Sequence, residues 1–202
     1  MTWTFARSIS LNLFGLIQGI ILARLLTPSD YGLIAITQIF FSISAVFIDS
    51  GFTTALIRKQ DRTELDYSTV FVSNVGLTLL FAIILIAIAP YIARFYNEAL
   101  LTKIVRANAI FLILNSLNAT QGTRMYINLQ FKQKSIINVI VNITVGIASI
   151  ICAFCGFGVW SLIYPNYIAP FLYLLLYWHF QHWRPRLGFS WKLWKDYFGF
   201  GS

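Results

Sequence analysis

The sequence is poor in charged side chains. Asp, Glu, Lys and Arg make up 11% of its 202 residues, whereas a soluble globular domain carries about 25%. So few charges cannot cover a surface that faces water on all sides, and the composition therefore excludes an ordinary soluble domain. Hydrophobic residues make up 58% of the chain. The solvent that suits such a chain is the lipid bilayer, which admits only helices and closed barrels.

Residues that hold metals or perform covalent catalysis are also scarce. The two cysteines, Cys152 and Cys155, lie in apolar surroundings with no second pair and no histidine cluster, which disfavours the deprotonated thiols of a metal or redox site. The sequence has no phosphate-binding loop, H-E-x-x-H, G-x-S-x-G or dinucleotide motif. We therefore predict no catalytic residues, no metal site and no cofactor, and we predict that the protein is not an enzyme.

Long stretches without charge divide the chain into segments that can span a membrane. Four of them have room for one helix of about 20 apolar residues, and the longest, from Lys134 to Arg184, has room for two. The short alternating segments of a transmembrane barrel are missing. The pattern predicts an all-α, polytopic membrane protein with a bundle of six helices over residues 5–26, 32–57, 69–93, 104–122, 136–154 and 157–180.

The distribution of basic residues predicts the orientation of this bundle. Of the 15 Lys and Arg residues, four lie at the end of the bundle where the first predicted helix meets the second and the third meets the fourth, and the other eleven lie on the opposite side. Cytoplasmic loops carry the excess of basic residues, so we expect both termini in the cytoplasm. Because the basic residues are spread over separate loops, nucleic-acid binding is not expected. The four are Arg24, Arg94, Lys103 and Arg106.

The last part of the chain differs in composition from the bundle. Residues 184–202 alternate basic and aromatic side chains at helical spacing, as in an amphipathic helix at a membrane surface. We therefore divide the chain into a six-helix lobe, 1–183, and a cytoplasmic interfacial segment, 184–202. This segment is expected to lead to a seventh helix that the chain does not contain, so a C-terminal lobe or a partner chain is expected to complete the protein.

Several local strings carry a resemblance to a known family. They occur in order along nearly the whole chain, and they lie at the ends of the predicted helices: L-A-R-L-L-T-P-S-D-Y-G-L over 22–33, D-S-G-F-T-T-A-L-I-R over 49–58, L-Q-F-K over 129–132, G-F-G-V-W-S-L over 156–162 and W-R-P-R over 183–186. Together they resemble the polysaccharide-transport family of bacterial flippases, within the multidrug/oligosaccharidyl-lipid/polysaccharide exporter superfamily.

The resemblance implies a two-lobe transporter of which this chain is the N-terminal half. Such a transporter moves an undecaprenyl-pyrophosphate-linked oligosaccharide across the bacterial inner membrane during lipopolysaccharide or exopolysaccharide biosynthesis. Its partners would be that lipid-linked oligosaccharide and the membrane lipids. The alternatives are a multidrug or cation antiporter of the same superfamily, and a membrane-embedded polysaccharide polymerase or assembly subunit. The short predicted outer loops argue against the polymerase.

Charged residues within the predicted spans are the first candidates for a site, because they are expensive in a membrane. Arg7 and Arg24 are the cations expected there, and Arg24 could bind a pyrophosphate through its planar guanidinium. The alternative for both is an interfacial arginine that reaches towards the headgroups. Asp49, near the inner end of the second predicted helix, is either a coupling-ion site or a structural residue of a helix-end turn beside Gly51.

Amides form the second group of candidates. Asn108, Asn115 and Asn118 lie roughly on one face of the fourth predicted helix, and Asn138 and Asn142 lie one turn apart on the fifth. Such stripes would suit a cavity that binds sugar hydroxyls. The alternative is hydrogen bonding between helices, which asparagine also performs in membranes.

Two further patterns predict how helices pack and bend. The G-x-x-x-G pair Gly15 and Gly19 predicts close packing of the first helix within the lobe. Pro165 and Pro170 lie inside the sixth predicted helix and predict a kink there.

Overall fold

The computed structural model describes the backbone of residues 2–49, 52–181 and 188–201, and the side chains of residues 14–48, 52–181 and 188–197. All of the regular structure within these ranges is helical. Within the described ranges there are eight α-helices and one 3-10 helix, Gly158–Leu162. The α-helices are α1 (Thr2–Leu25), α2 (Pro28–Asp49), α3 (Phe52–Arg58), α4 (Glu64–Phe95), α5 (Leu100–Ile127), α6 (Phe131–Phe154), α7 (Tyr164–Phe180) and α8 (Trp191–Gly201).

Six of these segments correspond to the six predicted spans. Five of them are long and apolar enough to cross a membrane, and within α1 the stretch Phe14–Leu25 is apolar. Large apolar side chains such as Ile83, Ile147 and Leu175 are exposed on the outside of the bundle, which suits contact with lipid. The prediction of an all-α, polytopic membrane bundle is confirmed.

The helix boundaries can be compared with the prediction at two spans. The second predicted helix, 32–57, corresponds to α2 and the short α3, which lie on either side of residues 50 and 51, outside the described residues. The sixth begins as a 3-10 helix, and Pro165 lies in the first turn of α7, where its missing N–H has no carbonyl to bond. Pro165 thus lies at a helix start and Pro170 lies inside α7, and the kink in this span stays a prediction.

Helices α2 and α4 begin with the same local motif. In each, a threonine precedes the helix and an aspartate lies three residues later, so that each side chain bonds the backbone N–H of the other residue, as in a capping box. The Thr27 backbone N–H donates to Asp30 Oδ2 at 2.9 Å, and the Thr63 backbone N–H donates to Asp66 Oδ2 at 2.7 Å. These motifs fix where the two helices start.

Helix α5 lies at the centre of the bundle. It packs most extensively against α4 and also contacts α2, α3, α6 and α7, while α1 packs against α6. The α4–α5 interface contains small and branched apolar side chains, including Ala82, Ala89, Ile104 and Ala109, all fully buried. A polar face on α5 is therefore surrounded by other helices.

Close packing of α1 is achieved by a different glycine from those predicted. An added Cβ at Gly15 or Gly19 would meet no atom of the described residues within 4 Å. At Gly146 of α6, an added Cβ would collide with the Phe14 ring and lie 2.8 Å from Gln18 Oε1. Gly146 thus permits the contact between α1 and α6, and the prediction for Gly15 and Gly19 is wrong for packing within this lobe.

The two ends of the bundle can be distinguished by the contacts of α8. The Ser190 backbone N–H donates to Thr69 Oγ1 at 3.2 Å, which places the start of α8 beside the start of α4. The α5–α6 turn and the end of α7 meet at the same end, where Gln181 Nε2 donates to Gln130 Oε1 at 3.0 Å. We call this the α8 end, and it is the end that the basic residues predict to be cytoplasmic.

Candidate functional site

Two cavities lie along the polar face of α5. The first, the Asn108 cavity, has a volume of about 360 Å³ and lies between α2, α5 and the beginning of α7. Its lining combines aromatic side chains with hydroxyl and amide groups. The polar lining residues are Thr37, Gln38, Ser42, Asn108, Asn115 and Asn166.

The second, the Lys134 cavity, has a volume of about 220 Å³ and lies between α5, α6 and α7. It is closer to the α8 end than the first, because Lys134 lies in the first turn of α6. The lining residues are Asn115, Asn118, Ala119, Gly122, Thr123, Lys134, Tyr173 and Tyr177.

Asn115 belongs to both linings and joins the two cavities into one polar face, which we call the α5 path. It extends from Asn108 to Thr123, which at the rise of an α-helix is roughly 22 Å, most of the thickness of the hydrocarbon core. The spacing of the asparagines keeps them on one side of the helix. The structure thus brings Asn108, Asn115 and Asn118 together, as their periodicity predicts.

Lys134 supplies the positive charge of the α5 path. Its side chain is half-buried, and Nζ donates to the backbone carbonyl of Gly122 at 3.1 Å. Nζ also lies 5.7 Å from the centroid of the Tyr126 ring, which is a cation–π distance. Among the cavity-lining residues no aspartate or glutamate accompanies this lysine, so the α5 path favours an anionic or neutral polar ligand.

Sequence reasoning missed Lys134 because it placed the helix boundary too late. The fifth predicted helix begins at residue 136, which leaves Lys134 in a loop, whereas α6 begins at Phe131. The extra turn carries the lysine side chain back along the bundle towards α5. The available signal was the run Phe131-Lys132-Gln133-Lys134, in which no proline or glycine prevents a helix from starting earlier.

Asn118 contributes an acceptor to the Lys134 cavity. Its Nδ2 donates to the backbone carbonyl of Pro170 at 2.9 Å, which ties α5 to α7. The side chain is buried, and its Oδ1 accepts no hydrogen bond from the residues that the structure describes. An unsatisfied buried oxygen is costly, and a hydroxyl group of a ligand would satisfy it. Asn118 therefore performs the helix–helix bonding that was the alternative for the asparagine stripe, and ligand binding through its Oδ1 stays a prediction.

Asn138 contacts the Lys134 cavity indirectly, through the side chain of Tyr173. The Tyr173 hydroxyl donates to Asn138 Oδ1 at 3.2 Å, and the Tyr173 ring stacks on Tyr177 at 5.4 Å between centroids. Asn138 thereby fixes the orientation of an aromatic side chain that lines the cavity. Asn142, one turn further along α6, is exposed and belongs to neither lining.

The structure does not bring the remaining predicted site residues into the α5 path among the side chains that it describes. Arg24 is exposed in the last turn of α1, at the end opposite α8, and lines neither cavity. Asp49 is the last residue of α2, and its side chain falls outside the described residues. The roles of Arg24, Asp49 and Asn142 stay predictions.

Comparison with known proteins shows which family this chain belongs to. A family model described as "Polysaccharide biosynthesis protein" matches residues 21–202. This chain belongs to that family. The result confirms the resemblance to polysaccharide exporters that the local strings indicated, and it agrees with the membrane bundle.

Named relatives have related roles. The teichuronic acid biosynthesis protein TuaB of Bacillus subtilis is 24% identical over 202 residues, which is 99% of this chain and 42% of TuaB. The succinoglycan biosynthesis transport protein ExoT of Rhizobium meliloti is 23% identical over 84% of this chain and 34% of its own length. The lipopolysaccharide biosynthesis protein WzxC of Escherichia coli is 20% identical over 55% of this chain and 23% of its own. No solved structure matches the chain.

The chain is therefore a multi-pass membrane protein that belongs to a polysaccharide biosynthesis family. It spans less than half the length of these curated relatives.

Proposed function

We propose that this chain forms one lobe of a transporter that moves an undecaprenyl-pyrophosphate-linked oligosaccharide across the bacterial inner membrane. In this proposal the protein is not an enzyme, and a second lobe, in the same polypeptide or in a partner chain, closes the other side of the route. The observation that carries the proposal is the placement of one lysine and several amides in adjoining cavities along α5.

The chemistry of the substrate matches this arrangement in two respects. A sugar presents many hydroxyl groups, and the amides of Asn108, Asn115 and Asn118 can both donate and accept hydrogen bonds. A pyrophosphate carries negative charge, and one charge at the centre of a bilayer costs at least about 3 kcal/mol. An ammonium group beside the route offsets part of that cost, and Lys134 is placed to provide it.

The location of Lys134 also suits the direction of transport. With both termini in the cytoplasm, the α8 end faces the inner leaflet, where the lipid-linked oligosaccharide is made. Lys134 would then meet the pyrophosphate early, and the amides would hold the sugars as they move towards Asn108. The lipid tail can stay in the bilayer, since the substrate needs a polar route for its headgroup alone.

A multidrug or cation antiporter is the alternative, and the charge of the α5 path weighs against it. A cationic drug would meet the Lys134 ammonium in a low-dielectric environment, where like charges repel strongly. Neither cavity lining includes an acidic residue that would attract a cation.

Complementation in a bacterium that lacks its own flippase tests the proposal. We expect the complete gene product containing this lobe to restore surface polysaccharide and to prevent accumulation of the lipid-linked precursor. The double variant Asn115→Ala/Asn118→Ala should lower export at least tenfold, because two amides leave the route. Asn128→Ala is the matched control, since Asn128 is exposed and lines neither cavity. Drug resistance without polysaccharide export would instead support the antiporter.

A further inference from the structure

A third cavity lies outside the α5 path, in a groove between α3 and α8. Its volume is about 790 Å³, more than that of the two α5 cavities together. It lies at the α8 end, where the bundle meets the membrane surface. The lining residues are Ala55, Arg58, Lys59, Leu193, Lys195, Asp196 and Tyr197.

The groove carries more positive than negative charge. Its lining holds three basic residues, Arg58, Lys59 and Lys195, against one acid, Asp196. Arg58 and Lys195 are exposed, and neither forms an ion pair within the described ranges 14–48, 52–181 and 188–197. Both side chains are therefore available to an anionic ligand.

Lys59 is fixed in place at the bottom of the groove. Its Nζ lies 2.6 Å from Oδ1 of the buried Asp66 carboxylate, while about a third of its side chain is still exposed. A ligand that binds here meets an ammonium group that is already ordered, so less side-chain entropy is lost on binding.

Aromatic and apolar side chains place the groove at the membrane boundary. Trp191 and Trp194 stack with their ring centroids 4.8 Å apart, and tryptophan is enriched at the level of lipid headgroups. Lys195 Nζ lies 5.8 Å from the Trp191 centroid, so the cation and the aromatic surface are adjacent. Leu193 and Ala55 add apolar lining, which suits the glycerol and upper acyl region of a lipid.

We propose that this groove binds the phosphate of an anionic phospholipid headgroup. The excess of basic residues complements the headgroup charge, and the position at the membrane boundary allows the acyl chains to stay in the bilayer. Arg58 contacts the phosphate from α3 and Lys195 contacts it from α8, and Lys59 contacts it from the bottom of the groove. The lipid thereby links α8 to α3. This site is separate from the α5 path and does not depend on the transported substrate.

Native mass spectrometry of the purified protein, titrated with phosphatidylglycerol or with neutral phosphatidylcholine, tests the proposal. We expect phosphatidylglycerol to bind preferentially. In the double variant Arg58→Gln/Lys195→Gln its affinity should fall roughly thirtyfold, the effect of two basic residues near a membrane surface. The charge-preserving variant Arg58→Lys/Lys195→Arg should bind like the wild type.

The control variant Lys192→Gln separates a built site from general attraction to anionic lipid. Lys192 is exposed on the same helix but does not line the groove, so its replacement should leave the affinity unchanged. Equal binding of phosphatidylcholine, or equal losses in the control and in the double variant, would overturn the proposal. Displacement of the lipid by inorganic pyrophosphate at equal concentration would also overturn it, because the groove would then be a site for free phosphate.

Discussion

Replacing Lys134 with glutamine in the complete protein is expected to lower export of surface polysaccharide about tenfold to a hundredfold while expression and membrane insertion stay normal. Among the described residues, Lys134 is the one basic residue that lines the two α5 cavities, and a hydrogen bond between a charged donor and its acceptor is worth roughly 1.5–3 kcal/mol. Loss of that contact in the transition state would slow transport by about tenfold to a hundredfold. Precursor accumulation and surface polysaccharide, measured together, report this change.

Two further variants, one that preserves the charge and one at a remote arginine, show whether the loss of export is specific to the positive charge of Lys134. Lys134→Arg keeps the charge but places a larger planar group beside the Gly122 carbonyl, so we expect partial export. Arg24→Ala, made in parallel, tests the sequence-based hypothesis that Arg24 binds the pyrophosphate. If the Lys134→Gln variant exported polysaccharide at the wild-type level, that result would contradict a phosphate contact in the α5 path. Loss of export from Arg24→Ala alone would place that contact at the end of the bundle opposite α8, where Arg24 lies.

The second large effect is a loss of stability when Asp66 is replaced, because the Asp66 carboxylate holds α8 against the bundle. Its Oδ1 accepts hydrogen bonds from Lys59 Nζ at 2.6 Å and from the Tyr197 hydroxyl at 2.5 Å. Its Oδ2 caps α4 through Thr63. Burial, together with the hydrogen bond to Asp66, raises the pKa of Tyr197, so this hydroxyl stays protonated and donates at any physiological pH.

Asp66→Ala should therefore destabilise the protein and release α8. The loss of a helix cap costs about 0.5–2 kcal/mol, and a buried donor without a partner costs about 1–3 kcal/mol. We expect a clearly lower thermal midpoint in detergent and rapid proteolysis at Lys192 and Lys195, with Tyr197→Phe giving a smaller decrease.

Asp61→Ala is the matched control for Asp66→Ala. Asp61 is an exposed acid in the same α3–α4 connection, so its replacement should leave both the midpoint and the proteolysis unchanged. Unchanged proteolysis in Asp66→Ala would show that α8 is held by its apolar contacts with Phe52 and Leu56 instead of by the carboxylate.

The sequence predicts the spans well because the physical constraint on them is strong. A bilayer excludes charge, so gaps between charged residues locate the helices, and the fixed α-helical period brings Asn108, Asn115 and Asn118 to one face. Helix ends are less constrained, since a charged residue can lie inside the first turn and extend along the bundle. Lys134 is such a residue, and a boundary error of five residues removed it from the sequence-based site.

Contacts between distant segments could not be predicted from local patterns. The bond from Asn118 to the Pro170 carbonyl joins residues 52 positions apart, and the Tyr197–Asp66 bond joins residues 131 positions apart. Each depends on how two helices pack, which one sequence does not determine. The capping pairs Thr27–Asp30 and Thr63–Asp66 are the exception, because threonine followed three residues later by an acid is a local signal for a helix start.

Translocation in reconstituted vesicles is the measurement that tests the central claim most directly. The complete protein would be placed in vesicles whose labelled undecaprenyl-pyrophosphate oligosaccharide starts in one leaflet, and an impermeant sugar-modifying enzyme would report its arrival in the other. We predict rapid translocation by the wild-type protein and little above the protein-free rate by Lys134→Gln. Equal rates in protein-free vesicles and in vesicles with correctly folded wild-type protein would contradict the account.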